Sequence, residues 1–158
     1  MIGVINLIGR VFMLPADCPF RTGMALVEEL SRQCDALVVD MHAEATSEKQ
    51  ALGLYLDGHV TAVIGTHTHV QTSDEQILPG GTAFITDVGM TGPTQTVIGV
   101  KPDLVMRRFL TGMPARFEPP DTGPAALCGL LVETDGKGMR ARRVLRVRVL
   151  TDAVESVS

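Results

Sequence analysis

The stretch Val60-Thr61-Ala62-Val63-Ile64-Gly65, followed directly by Thr66-His67-Thr68-His69, decides how this 158-residue chain is expected to fold. Its first six residues form a short, mostly apolar run that is typical of a buried strand. Alternate side chains of an extended backbone point the same way, so we expect His67 and His69 on one side of the strand end. The stretch therefore predicts a strand that carries two imidazoles to one edge of a sheet.

Strand and helix patterns alternate around this stretch. We predict strands at 1–7, 36–40, 60–65 and 83–87, and helices at 22–34, 48–57 and 102–110. Ser47 and Gln50 have the spacing of a capping box for the second helix, and Gly58 is placed to end it. The segments 126–134 and 139–150 are predicted to form a hairpin that turns at Asp135-Gly136. The pattern indicates an α/β layered sandwich, with 1–158 as a single domain.

Composition narrows the classes of function. A net charge of -4 lacks the basic excess that long nucleic acid demands, and the 45% hydrophobic content can supply a core. The three cysteines, Cys18, Cys34 and Cys128, are odd in number and widely spaced, which argues against a disulfide framework. No apolar stretch of about 18 residues is present to span a membrane. We therefore expect a soluble, cytoplasmic protein.

A third histidine strengthens the prediction of a metal site. His42 follows the predicted strand 36–40, and the carboxyl ends of strands in an α/β sheet line a common crevice. His42, His67 and His69 should therefore meet at one edge, and neutral imidazole is a common metal ligand. An isolated His-x-His could equally bond to loop carbonyls, but the third imidazole favours metal.

Other polar residues near this edge have weaker patterns. Asp40, Glu44 and Asp87 could be ligands, bases or partners of the histidines, although a structural role is favoured for each, and Asp87 could fix its own loop. A glycine-rich loop at 89–92 could offer backbone N–H groups to a phosphate. His59 is expected to be a surface or capping residue. The last hairpin carries arginines that are expected to be solvated, namely Arg140, Arg142, Arg143, Arg146 and Arg148.

Three segments read together resemble the YmdB-type bacterial metallophosphoesterases. They are DMHAEATSEK at 40–49, GTHTHVQT at 65–72 and ITDVGMTGP at 85–93. Members of this calcineurin-like group are associated with hydrolysis of 2′,3′-cyclic nucleotides and other phosphodiesters. The resemblance implies two divalent metal ions, iron or manganese, with His42 and His67 on one and His69 on the other. It also implies a hydroxide activated between the two cations.

The same resemblance implies that the front half of the family fold is absent. Family members begin with Gly-Asp, Asn-Gly-Glu-Asn and Gly-Asn-His segments, which supply further ligands and a proton-donating histidine. None of these segments occurs in the sequence. We therefore expect an incomplete sandwich, the C-terminal half of a metallophosphoesterase whose Met1 is an internal codon. We expect no catalytic residue of its own, at most one metal ion, and little or no activity from the isolated chain.

Two alternatives to a hydrolase remain. The chain could be a non-catalytic metal-binding fragment, or a half-domain that complements a separately encoded N-terminal half. It could also be a structural or protein-binding module, which is the least favoured interpretation. As a hydrolase it would take a small phosphoester or cyclic nucleotide, would bind neither a membrane nor long nucleic acid, and could form a homo-oligomer.

Overall fold

The protein is an α/β structure with parallel and antiparallel strand pairs, as the sequence predicts. The computed structural model describes residues 1–136 and 138–155. The elements in chain order are β1 (Ile2–Ile8), α1 (Pro19–Leu30), β2 (Ala36–His42), α2 (Thr46–Tyr55), β3 (Ala62–Thr66), β4 (Gln76–Ile77), β5 (Ala83–Ile85), β6 (Gly92–Pro93), α3 (Pro102–Thr111), β7 (Thr122–Thr134) and β8 (Ala141–Glu155).

Five strands form the sheet that positions the histidines. Their order is β1-β2-β3-β5-β4, and the first four are parallel, whereas β4 pairs antiparallel with β5. The register pairs Ile8 of β1 with His42 of β2, and His42 with Thr66 of β3. The carboxyl ends of three neighbouring strands therefore lie level at one edge of the sheet.

An apolar core covers one face of this sheet and fixes the strand register. Leu37, Val39 and Met41 of β2 are completely buried, and Val27 of α1 and Leu52 of α2 belong to the same cluster. Each such side chain contributes about 1.5–3 kcal/mol when it is fully removed from water. A register slip of one residue would expose all three residues of β2, so the register that aligns His42 with Thr66 is strongly specified.

The last three strands form a second sheet, in the order β6-β7-β8, with β6 antiparallel to β7. The chain divides into two compact units. One contains Met1–Gly89 and Leu130–Arg146, and the other contains Met90–Gly129 and the chain from Val147 onward. All three predicted ligand histidines belong to the first unit. The single domain over 1–158 stays a prediction.

The three helices are short, and the first two start earlier than predicted. Helix α1 begins at Pro19 instead of Thr22, because proline fills the first helical turn, where its missing N–H costs nothing. The capping box at Ser47 is wrong: Ala45 is the N-cap, and no side chain caps the helix. Gly58 does have a left-handed φ of 81° just beyond α2. In the part of the chain that the structure describes, no helix is long and apolar enough to cross a membrane.

The strand bounds differ from the predictions mainly in the later part of the chain. β3 begins at Ala62 rather than Val60, and β5 ends at Ile85 rather than Asp87. Gly92 and Pro93 of the predicted glycine-rich loop form the short strand β6. β7 and β8 are neighbours in one sheet, as the predicted hairpin requires, and the Asp135 amide donates to the Arg140 carbonyl across the turn.

Candidate metal centre

Two of the three predicted ligands lie side by side at the carboxyl edge of the parallel sheet. His42 is the last residue of β2, and His67 directly follows β3, so the strand register brings them together. His42 Nε2 is 3.1 Å from His67 Nδ1. The rings meet edge to face, with centroids 4.8 Å apart and an interplanar angle of 76°. Both residues are half-buried, so one side of the pair is open to solvent.

A chain of hydrogen bonds orients the His42 ring. Asn6 donates to Asp40 Oδ2 at 2.7 Å, and the Thr66 hydroxyl donates to Asp40 Oδ1 at 2.8 Å. The Thr66 oxygen, having given its proton to Asp40, must accept from His42 Nδ1, which lies 3.0 Å away. This assigns the proton of a neutral His42 to Nδ1. Its Nε2 lone pair then points towards His67.

Glu44 orients the second ring from the opposite side. Its Oε2 is 3.2 Å from His67 Nε2. An ionised carboxylate can only accept, so His67 carries its proton on Nε2, and the lone pair is on Nδ1. In two neutral rings the lone pairs of His42 Nε2 and His67 Nδ1 therefore face each other. Such an arrangement is repulsive unless a cation or a proton lies beside both nitrogens.

The separation of these two nitrogens fits two ligands of one metal ion. With a metal–nitrogen bond of about 2.1 Å, ligand angles between about 90° and 109° place two nitrogens about 3.0–3.4 Å apart. The His42–His67 distance of 3.1 Å is within that range. The hydrogen bond of His42 Nδ1 with Thr66 and the close contact of His67 Nε2 with Glu44 are also the usual support of metal-binding histidines. The donor pair thus suits a divalent ion that accepts imidazole.

The third predicted ligand is placed differently. His69 is exposed, and its backbone has a left-handed φ of 66°. Within residues 1–136 and 138–155, no three His, Cys, Asp or Glu side chains are grouped so that they could hold a metal ion. The structure therefore brings His42 and His67 together and does not add His69 to a set of three. The assignment of His69 as a ligand stays a prediction.

Asp87 lies in a buried ion pair instead of at the metal edge. Its Oδ2 is 2.9 Å from Lys49 Nζ, and each side chain is only 1% exposed. The same oxygen accepts from the Thr68 amide at 3.1 Å and from the Thr68 hydroxyl at 2.6 Å. Oδ1 accepts from the Gly89 amide at 2.8 Å, which confirms that Asp87 fixes its own loop.

Lys49 was missed as a functional candidate, although the sequence holds a signal for it. Lys49, Leu52 and Leu56 have the i, i+3, i+7 spacing of one helix face, and all three are buried. A lysine on such an apolar stripe requires an acidic partner inside the protein. Thr66 and Asn6 were missed as well, and their roles depend on pairing between strands that no local pattern reveals.

The remaining candidates have structural contacts. Arg146 donates to the Thr72 carbonyl at 3.0 Å, and Arg143 pairs with Glu133 at 3.2 Å. His59 is exposed, as predicted. The role of the glycine-rich loop at 89–92 in binding phosphate stays a prediction.

Comparison with solved structures places the fold among phosphatase-like α/β proteins. A crystal structure of a novel phosphatase from Mycoplasma pneumoniae matches with a TM-score of 0.84 and 40% identity, over 94% of this chain and 53% of that one. A crystal structure of a hypothetical protein from Thermus thermophilus matches with a TM-score of 0.86 and 42% identity, over 93% of this chain and 56% of that one.

Sequence comparison then gives the family. The model of the YmdB-like proteins matches residues 1–147, so the chain belongs to the YmdB-like family. A Bacillus subtilis (strain 168) protein named 2′,3′-cyclic-nucleotide 2′-phosphodiesterase is 45% identical over 151 residues, which cover 96% of this chain and 57% of that protein. The chain therefore spans little more than half the length of the relatives it matches. The resemblance predicted from three short segments is confirmed.

Proposed function

We propose that this chain is the histidine-bearing part of a metal-dependent phosphodiesterase that acts on 2′,3′-cyclic nucleotides or related phosphoesters. The observation that carries the proposal is the histidine pair, with His42 Nε2 facing His67 Nδ1 at 3.1 Å. The family supports it, because a relative with 45% identity is named a 2′,3′-cyclic-nucleotide 2′-phosphodiesterase. Phosphodiester hydrolysis is a reaction for which protein-bound divalent metals are well suited.

His42 and His67 would hold one divalent ion, iron or manganese, and His69 would contribute to a second. When bound, such ions supply Lewis acidity that activates water and offsets the charge developing on the phosphoryl oxygens. The chain itself supplies the orientation. Thr66, tied to Asp40, fixes the His42 ring, and Glu44 fixes the His67 ring. Both imidazoles are thereby held with the lone pairs of His42 Nε2 and His67 Nδ1 towards each other.

The overall reaction is balanced without a further reactant. Water adds to the cyclic phosphate, the P–O2′ bond breaks, and O2′ leaves with a proton, so that a nucleoside 3′-phosphate remains.

We propose a small substrate of this kind, because the net charge of -4 does not favour long nucleic acid. We also propose that the protein is cytoplasmic, has no membrane attachment and is able to form a homo-oligomer.

A second candidate function is a non-catalytic metal-binding part that complements ligands on another polypeptide segment. It is favoured by one observation: the described residues 1–136 and 138–155 bring two imidazoles together but no group of three ligands. On this basis we propose that the isolated chain binds at most one ion. Its turnover should be little or none, because neutral imidazoles alone do not balance the charge of two divalent cations.

Metal titration tests both candidates. Mn²⁺ is titrated calorimetrically into the 158-residue chain and into His42→Ala, His67→Ala and His69→Ala, with His59→Ala as the exposed control. We expect one ion for the unaltered chain, loss of binding in His42→Ala and His67→Ala, and no effect of His59→Ala. Binding that survives loss of both His42 and His67 would contradict the proposal.

A turnover assay distinguishes the two candidate functions. Hydrolysis of 2′,3′-cyclic AMP with added Mn²⁺ is followed by chromatography of the 3′-phosphate product. Little or no product, together with one bound ion, favours the complementing part. Two bound ions and sustained turnover by the isolated chain would instead establish a complete hydrolase.

A further inference from the structure

The backbone around the two histidines that follow β3 has an unusual conformation. His67 has a φ of 94° and His69 a φ of 66°, and both angles lie in the left-handed region. Side chains with a Cβ are disfavoured there, so such residues persist only when neighbouring contacts hold them. The residue between them is Thr68. Whatever holds Thr68 therefore also fixes the direction of the His67 ring.

Thr68 is held by the buried ion pair of Lys49 and Asp87. Asp87 Oδ2 accepts from both the amide and the hydroxyl of Thr68, at 3.1 and 2.6 Å. Lys49 Nζ lies 2.9 Å from the same carboxylate oxygen and 3.4 Å from the Thr68 hydroxyl. Three donors, one from α2 and two from the loop after β3, thus converge on one oxygen of a residue that follows β5.

Burial makes this contact rigid. Lys49 and Asp87 are each 1% exposed, so water does not compete for their hydrogen bonds, and the low local dielectric strengthens them. The second carboxylate oxygen accepts from the Gly89 amide at 2.8 Å. Asp87 cannot rotate away without leaving the buried Lys49 ammonium and the partly buried donors of Thr68 and Gly89 unsatisfied, which is costly.

We propose that Lys49, Asp87 and Thr68 form a buried clamp whose role is to hold the 67–69 backbone in its left-handed form and so keep His67 beside His42. None of the three touches the facing nitrogens, so they are positioning residues. The effect of the clamp on metal binding rests on the proposed function, but its effect on the histidine geometry does not.

The test removes one hydroxyl and restores it. Thr68→Val keeps the shape and the amide bond to Asp87 but loses the hydroxyl bond, whereas Thr68→Ser keeps the hydroxyl. Asp57→Asn is the matched control, because Asp57 also fixes a loop by accepting from backbone amides, at Gly80 and Thr82, but lies away from the histidines. If Thr68→Val does not fold, Thr68→Ala replaces it.

Two readouts are taken on each 158-residue variant. Long-range ¹H–¹⁵N spectra of the metal-free protein report the tautomers of His42 and His67. Calorimetric titration with Mn²⁺ reports affinity. We expect Thr68→Val to shift the His67 ring nitrogens and to lower Mn²⁺ affinity by about 10- to 100-fold. Thr68→Ser and Asp57→Asn should match the unaltered chain within about 3-fold.

The outcomes separate the clamp from the proposed function. If the unaltered chain binds no Mn²⁺, the metal proposal fails, while the metal-free spectra still decide on the clamp. Unchanged His67 ring signals in Thr68→Val, or an equal change in Asp57→Asn, would overturn the clamp. Shifts in Thr68→Val that Thr68→Ser reverses would establish it.

Discussion

Two hydrogen-bonded networks meet at the end of β3, and they differ mainly in burial. The first runs from Asn6 through Asp40 and Thr66 to the histidine pair and Glu44. Its outer contact, between His67 and Glu44, has side chains that are 34% exposed at His67 and 49% exposed at Glu44. The second network joins Lys49, Asp87 and Thr68, and its ion pair is 1% exposed on both sides.

This difference in burial distinguishes the network that contains the histidines from the network that holds them in place. An exposed polar contact of this kind contributes about 0–1 kcal/mol, so the outer network can exchange partners. A buried pair that loses one partner leaves an uncompensated charge, so the inner network resists change. The histidines are thus accessible on one side and rigidly supported on the other.

The largest expected effect comes from breaking the inner ion pair. Lys49→Met leaves the Asp87 carboxylate buried without its cation, and we expect a loss of about 3–5 kcal/mol in the free energy of unfolding. Glu44→Gln, on the exposed network, should cost no more than about 0.5 kcal/mol. Urea denaturation followed by far-UV circular dichroism measures both.

The double variant Lys49→Met/Asp87→Leu serves as the control for this prediction. With both charges removed, no buried charge is left unpaired, so part of the lost stability should return even though the Thr68 and Gly89 donors lose their acceptor. Equal stabilities for Lys49→Met and Glu44→Gln would mean that the contrast between the two networks is wrong.

Gly65→Ala should have the next largest effect, because Gly65 directly precedes Thr66 of the outer network and lies beside Lys49 of the inner one. A Cβ at this position would overlap the Thr86 carbonyl oxygen, so the strand ends would have to separate. We expect a loss of about 2–3 kcal/mol, measured by urea denaturation. Gly136→Ala is the control, since nothing lies within 4 Å of a Cβ at that residue. A loss as small as that of Gly136→Ala would show that the strand ends separate at little cost in stability.

Thr66→Val tests the exposed network, in which Thr66 links Asp40 to His42. It removes the hydroxyl that links Asp40 to His42 but keeps the shape of the side chain. We expect Mn²⁺ affinity to fall by about 10- to 100-fold through the loss of ring orientation. The unfolding free energy should change by only about 1 kcal/mol. Thr66→Ser retains the hydroxyl and should bind like the unaltered chain; equally weak binding by both variants would contradict this role.

The smallest expected effect is on the pH dependence of stability and concerns Asp74, in the loop that follows the histidines. Burial raises the pKa of Asp74, but hydrogen bonds from Thr72 and Thr86 outweigh it and hold the pKa below its usual value. A lowered pKa in the folded state stabilises the protein above the unfolded pKa of about 3.9, and this stability disappears as pH falls through the folded pKa.

Asp74→Asn should therefore remove a small part of the acid sensitivity. Unfolding free energies measured between pH 6 and pH 3 should differ in their pH dependence by about 0.5 kcal/mol, since solvent screens a half-exposed group. Identical pH profiles for the two proteins would show that the Thr86 contacts do not favour the ionised form.

The sheet and the histidine pair could be predicted because their signals are local. The run Ala36–His42 is apolar enough to specify a buried strand, and strands that end at one edge carry their last residues together. Helix starts were less predictable, because Pro19 and Thr46 begin helices without side-chain caps. At Ser47 the local cap signal was misleading, since the helix already starts one residue earlier, with Ala45 as its N-cap.

The helix-face spacing of Lys49 indicates that this residue is buried, but its partner in the inner network could not be predicted from the sequence. Lys49 and Asp87 are 38 residues apart, and neither has a neighbour that signals the other. The pairing depends on α2 packing beside β3 and on the segment after β5 ending level with it. The His67 ring position was predicted from strand alternation, although the residue lies beyond β3 with a left-handed φ, where that alternation no longer applies.

The left-handed angles at His67 and His69 have a consequence for protein engineering. Glycine at either position would relieve backbone strain of about 1–3 kcal/mol, so a screen for thermal tolerance alone would tend to select it. Each such gain would remove an imidazole from the sheet edge. If His67 binds metal as proposed, improved heat resistance and loss of Mn²⁺ affinity should arise together at that position, as a trade-off between stability and function.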